Sequence, residues 1–137
     1  MPIHPTTRLL VIDQDVLGEN FLKQSLKPTG YEVIKANSIR EGLQTSQSWN
    51  PDVIIINILE PLTNGWKLCQ RIRSYSQAPI LVLAAVSDPN SIALWLDAGA
   101  DDYLTKPFSS EILHAHLKKL TRRSKLKQNH PAISPIH

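Results

Sequence analysis

The residues of this chain that could do chemistry stand at the ends of short apolar runs. Asp13, Gln14 and Asp15 follow Leu9 to Ile12, and Asn57 lies near the close of Val53 to Ile58. Ala84 and Ala85 end the run from Ile80, and Lys106 with Pro107 follows Asp102 to Thr105. Carboxylates such as Asp13 suit a hard cation. Lys106 could neutralise a partly buried acid. Asn57 offers a neutral carboxamide, both donor and acceptor. The histidines, His4, His114, His116, His130 and His137, show no ligand spacing with Cys69, so no metal site and no cofactor is expected. Cys69 is the only cysteine, which excludes a disulfide framework, and it is most simply a packing residue between Leu68 and Gln70.

These positions need a scaffold that brings the ends of several runs together. Five apolar runs, with Tyr31 to Ala36 as the second, alternate with amphipathic stretches, the pattern of a parallel sheet covered by helices on both faces. Leu17, Phe21 and Leu26 sit near helical spacing, as do Leu68 with Ile72 and Leu113 with Leu117 and Leu120, so each set is expected to be a buried helix face. Pro28 and Gly30 end the first helix, Asn50-Pro51 opens the third strand, Asn64-Gly65 precedes the third helix, and Gly99 stops the fourth. In such an open sheet, ligands gather at the carboxyl ends of the strands, where the positions above fall.

With 137 residues and 42% hydrophobic content the chain suits one core with tails. Its net charge of +3 is unevenly spread. Residues 1–111 hold nine Lys and Arg against twelve Asp and Glu, and every later charge is basic: Lys118, Lys119, Arg122, Arg123, Lys125 and Lys127. A solvated helix end and linker is the simpler reading of that run, with nucleic-acid contact second. The expected organisation is a tail over 1–6, a domain over 7–123 and a basic flexible linker over 124–137. No apolar run is long enough to span a membrane, and MPIHPTTR lacks a signal-peptide core, so a cytoplasmic protein is expected.

Three segments carry a resemblance: PDVIIINILEPLTNGW (Pro51 to Trp66), APILVLAA (Ala78 to Ala85) and, most specific, GADDYLTKPFSSEIL (Gly99 to Leu113). In this order and spacing they resemble the receiver domain of two-component response regulators, of the OmpR/PhoB branch, over about residues 7–123. The resemblance implies an α/β fold of the flavodoxin-like, CheY-like kind: a doubly wound, five-stranded parallel sheet of strand order 2-1-3-4-5. It implies a signalling protein, not an enzyme.

In that family two acids after the first strand and an aspartate ending the third hold Mg²⁺, and the third-strand aspartate accepts a phosphoryl group. Here those positions read Asp13, Gln14 and Asn57, so Mg²⁺ binding should be weak or absent and phosphotransfer nil. The family's switch Ser/Thr is replaced by Ala84, whose methyl cannot donate a hydrogen bond. Lys106 matches the family lysine and is expected to pair with Asp13 or bond Asn57. Pro107 matches a proline that follows a cis bond in relatives. Tyr103 matches the switch aromatic.

The resemblance also implies a symmetric dimer through the fourth helix, fifth strand and fifth helix. Carried over by position, Asp97 would face Lys118 of the second copy and Asp101 would face His116. The remaining charge pair falls on Ile92 and Ile112, both apolar, and with Leu94 and Trp95 the fourth helix reads as apolar nearly all round. A dimer held by burial follows as an expectation, with Trp95 in its interface. The leading expectation is a phosphorylation-independent receiver that controls a DNA-binding winged helix lying C-terminal to this chain. The alternative is a stand-alone pseudo-receiver that binds a partner protein or a small ligand at the degenerate pocket.

Overall fold

A computed structural model describes residues 6–13, 19–58, 65–85 and 88–129, with the side chains of 19–20 and 125–129 outside the description. Five strands, β1 (Arg8–Asp13), β2 (Glu32–Ala36), β3 (Val53–Asn57), β4 (Ile80–Ala84) and β5 (Asp102–Thr105), alternate with five helices. The helices are α1 (Glu19–Leu26), α2 (Ile39–Ser48), α3 (Trp66–Arg73), α4 (Pro89–Asp97) and α5 (Ser110–Asn129). All strands are parallel and the sheet order is β2-β1-β3-β4-β5, the expected arrangement.

Strands β3 and β4 are buried throughout, which is why their sequences read as unbroken Val, Ile and Leu rather than as alternation. Alternate residues feed two cores. Leu10, Ile12, Ile54, Ile56 and Val82 pack with Leu68, Cys69 and Ile72 of α3. Leu9, Val11, Ile55, Leu81 and Leu83 pack against Leu22 of α1 and Leu113, Leu117 and Leu120 of α5. Gly42 lets α2 approach the sheet, since a Cβ there would lie 2.6 Å from Ile12 Cδ1.

Local sequence sets the helix ends. Ser38 Oγ accepts from Glu41 N at 3.1 Å while Glu41 Oε1 accepts from Asn37 N at 2.7 Å, a reciprocal cap that starts α2. Asp88 accepts from Ser91 N at 3.0 Å ahead of Pro89, which starts α4, and Gly99 with φ of 120° turns the chain after it. These two ends fix where the strand-end loops begin and stop.

Three expectations change. Phe21 is 49% exposed and Leu22 is buried in its place, because the buried stripe of α1 runs through Leu22, Ser25 and Leu26, one residue out of phase with the predicted one. Leu17 lies outside the described residues. Trp95, expected at an interface, is 1% exposed and fills the core between α4 and the sheet. Helix α5 runs on through Asn129, past residue 123 where a linker was expected; its buried face extends to Ser124, and no Gly or Pro interrupts it.

Candidate functional site

Pairing of β1 with β3 sets Asp13 beside Asn57 at the carboxyl edge of the sheet. Both are buried, and Asn57 Nδ2 donates to Asp13 Oδ1 at 3.1 Å. Asn57 Oδ1 is buried without a hydrogen-bond partner among the described residues. Pairing of β4 with β5 brings in the other strand ends: Lys106 N donates to Ala84 O at 2.8 Å, and Lys106 Nζ donates to Ile58 O at 3.1 Å. Ala84 is fully buried, and the Lys106-Pro107 bond is cis, as the resemblance implied. Gln14 lies outside the described residues.

The strand ends therefore gather Asp13, Asn57, Ala84 and Lys106, but with a chemistry of their own. An amide N–H points at the one carboxylate, so the group beside Asp13 is a donor where a cation site needs an anionic oxygen. The described donor set does not fit Mg²⁺. At position 57 the carboxamide is a poor nucleophile toward phosphorus.

Beside these residues lies a cleft of about 240 Å³, walled by Phe21, Leu22, Leu83 and Phe108 with Asn57 and Lys106 also lining it. Phe21 and Phe108 meet edge to face, with centroids 5.7 Å apart. The cleft's aromatic walls were not predicted. Phe108 stood in the KPF of the most specific segment, and the exposure of Phe21 could be read only from the true phase of α1. A larger groove of about 470 Å³ lies between α1 and β2; it shares only Leu22 with the cleft, and neither Asn57 nor Lys106 lines it. Tyr103 is half-buried with its ring against the core, and burial, helped by the Asp88 carboxylate, raises its phenol above the usual 10.

On the face made by α4, β5 and α5, Leu94, Leu96 and Ile112 are exposed and Ile92 is half-buried. Asp97 and Lys118 are exposed as well. Asp101 and His116, expected to pair across two copies, both have partners within the chain. Asp101 accepts from Arg73 Nη2 at 2.6 Å and from Ile80 N at 2.8 Å, with Arg123 at 3.4 Å. His116 Nδ1 instead meets Asp102 Oδ2, with Lys119 3.8 Å from the same oxygen. Asp101 lies just before β5 and meets Arg73 of α3 and Arg123 of α5, while Asp102, the first residue of β5, meets His116 and Lys119 of α5.

Comparison with known proteins agrees with this geometry. The sequence profile described as "Response regulator receiver domain" matches residues 9–118. The chain is 38% identical over 130 residues to "Response regulator MprA" of Mycobacterium ulcerans, covering 94% of this chain and 56% of that protein. It is 34% identical over 120 residues to the "Alkaline phosphatase synthesis transcriptional regulatory protein PhoP" of Bacillus subtilis, covering 87% of this chain and 50% of that protein. The chain thus spans about half the length of these curated relatives. Among solved structures, a two-component response regulator from Clostridium difficile superposes with a TM-score of 0.77 at 34% identity, covering 86% of this chain and 98% of that one. No helix of the described residues is long and apolar enough to cross a membrane. With its sheet order and these matches in agreement, the chain belongs to the response regulator receiver domain family, with its similarity on the side of the OmpR/PhoB-type transcriptional regulators.

Proposed function

We propose that this chain is an atypical, phosphorylation-independent receiver, the regulatory half of a cytoplasmic transcription factor whose DNA-binding winged helix lies C-terminal to it. The observation that carries the reading is the Asn57 amide, which donates to Asp13 at 3.1 Å where relatives place the phosphoacceptor. With Ala84 offering a methyl at the switch position, neither the covalent step nor its sensor has the necessary group. Some other free energy must then bias the inactive and active states, and contact with a second copy supplies it. The exposed Ile112, Leu94 and Leu96, with half-buried Ile92 one turn from Leu96, support a dimer held by burial on the α4, β5 and α5 face. The exposure of Asp97 and Lys118 supports a pair across the dimer, while buried Trp95 takes no part.

The test is treatment with acetyl phosphate and Mg²⁺ followed by intact mass measurement. No added phosphoryl group is expected on this protein, and a gain of one would overturn the reading. A second reading, a pseudo-receiver that acts as an adaptor or binds a small molecule, is favoured by one observation: the strand-end cleft has apolar walls. Presence of a winged helix after residue 137 in the full gene separates the first reading from a stand-alone adaptor.

A further inference from the structure

The sheet ends at β2, and the apolar surface beside that strand is left open. Val33 pairs with fully buried Leu9, yet it is 41% exposed, because the apolar face of α1 closes over Leu9 and Val11 instead. Between α1 and β2 runs the groove of about 470 Å³, walled by Val11, Leu22, Leu26, Tyr31 and Val33. Its lining reaches from Tyr31, just before β2, to Asp13, the last residue of β1. Glu32 pairs with Arg8, so Tyr31 stands level with Thr7, and the two ends are on the order of 20 Å apart along the strands. The groove is therefore a long apolar slot.

Its charge is one-sided. Lys23, Lys27 and Lys35 line it against the single carboxylate of Asp13, although residues 1–111 carry more acid than base. Lys35, level with Val11, stands toward the end that Asp13 closes. Lys27 stands at the other end, in the turn that leads to Tyr31, and Lys23 lies four residues before it. Both are exposed, and no carboxylate pairs with either among the described residues. Glu32, the acid next to this strand's groove residues, is 3.9 Å from Arg8 on the opposite face of the sheet. Two ammoniums about one turn apart repel, so an anion seated between them is stabilised by both. We propose that this groove binds an amphiphilic anion, a carboxylate head on an unbranched apolar chain. The head sits between Lys23 and Lys27, and the chain lies along Leu26, Leu22 and Val33. A volume of about 470 Å³ is within the range of small-molecule sites, and apolar walls with charge at one end set orientation as well as affinity. The inference is independent of the chemistry at Asn57.

The probe is decanoate, titrated below its micelle concentration into the ¹⁵N-labelled chain, with decanol and acetate as comparators. Saturable shifts are expected at the backbone amides of Leu22, Lys27 and Val33. Decanol, which has the chain without the charge, is expected to bind at least tenfold more weakly, and acetate, the head alone, to leave these signals unmoved. Lys23→Gln and Lys27→Gln together, both at exposed positions, should weaken decanoate at least tenfold. Val33→Asp should do the same, and Val33→Thr gives a smaller loss in the same direction should the aspartate variant fail to fold. Equal binding of decanol, unchanged affinity in the lysine double variant, or no saturable shift overturns the proposal. So do shifts confined to Leu94, Leu96 and Ile112, the other exposed apolar residues. Sedimentation with phosphatidylglycerol vesicles separates a free amphiphile from a membrane surface: the chain is expected to stay in solution, and sedimentation that the lysine double variant abolishes would assign these cations to lipid and overturn the proposal.

Discussion

Replacing Asn57 with Asp restores the residue type that relatives use, and its cost follows from one distance. The amide now donates 3.1 Å to Asp13 Oδ1, so the variant sets two carboxylates at about that separation inside the fold. Two unit charges so placed repel by about 5 kcal/mol at an effective dielectric constant of about 20. A hydrogen bond to a charged group, worth about 1.5–3 kcal/mol, is lost with it. Proximity of Lys106 and uptake of a proton limit the sum, and Asn57→Asp is expected to lose about 3–5 kcal/mol at pH 7 without divalent cation. The pH dependence has a definite sign. The folded variant holds a proton shared by the two acids more tightly than the unfolded chain does, so its stability falls as pH rises and recovers as pH drops toward about 5. Mg²⁺ should recover part of the loss at pH 7 by replacing repulsion with coordination. Urea unfolding at pH 7 and pH 5, with and without Mg²⁺, measures all three effects. A variant as stable as the parent at pH 7 without metal would refute the reasoning, because the amide would then contribute nothing that a carboxylate could not.

Trp95→Ala is expected to lose about 3–5 kcal/mol in the same unfolding assay, since the indole is 1% exposed and its removal leaves a cavity in the core; a loss below about 1 kcal/mol would contradict its core placement. Burial pushes the Cys69 thiol up to about 12, so the native chain should resist a thiol-specific disulfide reagent at pH 8 and react in full once unfolded in urea; prompt labelling of native protein would contradict this. Ile112→Glu, at a position 46% exposed, should leave the fold intact and convert dimer to monomer in solution mass measurements without any phosphodonor. Equal masses for parent and variant would remove the burial-held dimer.

The strands were legible because β3 and β4 are wholly buried, and buried parallel strands write themselves as Val, Ile and Leu without interruption. The meeting of Asp13 with Asn57 followed from the same pattern, because parallel strands end on one edge of the sheet. Helix phase was harder. In α1, Phe21 and Leu22 are adjacent apolar residues, and only the packing chooses Leu22. In α4, a stripe apolar on most sides gives no phase at all, and the largest side chain, Trp95, went to the core while Leu94 and Leu96 stayed outside. The fate of Asp101 depended on Arg73, whose long side chain reaches it from 28 residues away, a contact that no local spacing encodes. The cleft walls were hidden for a similar reason, as Phe21 and Phe108 meet only when α1 lies beside the loop after β5.

The uninterrupted course of α5 from Ser110 to Asn129 has a mechanical consequence. Twenty helical residues make a shaft about 30 Å long, seated at one end on the sheet through Leu113, Leu117 and Leu120. Whatever is borne at its far end inherits the orientation of that seat. Inserting one residue after Ser124 would turn such cargo by about 100° around the shaft and advance it by about 1.5 Å, so four inserted residues would nearly restore its bearing where two would reverse it.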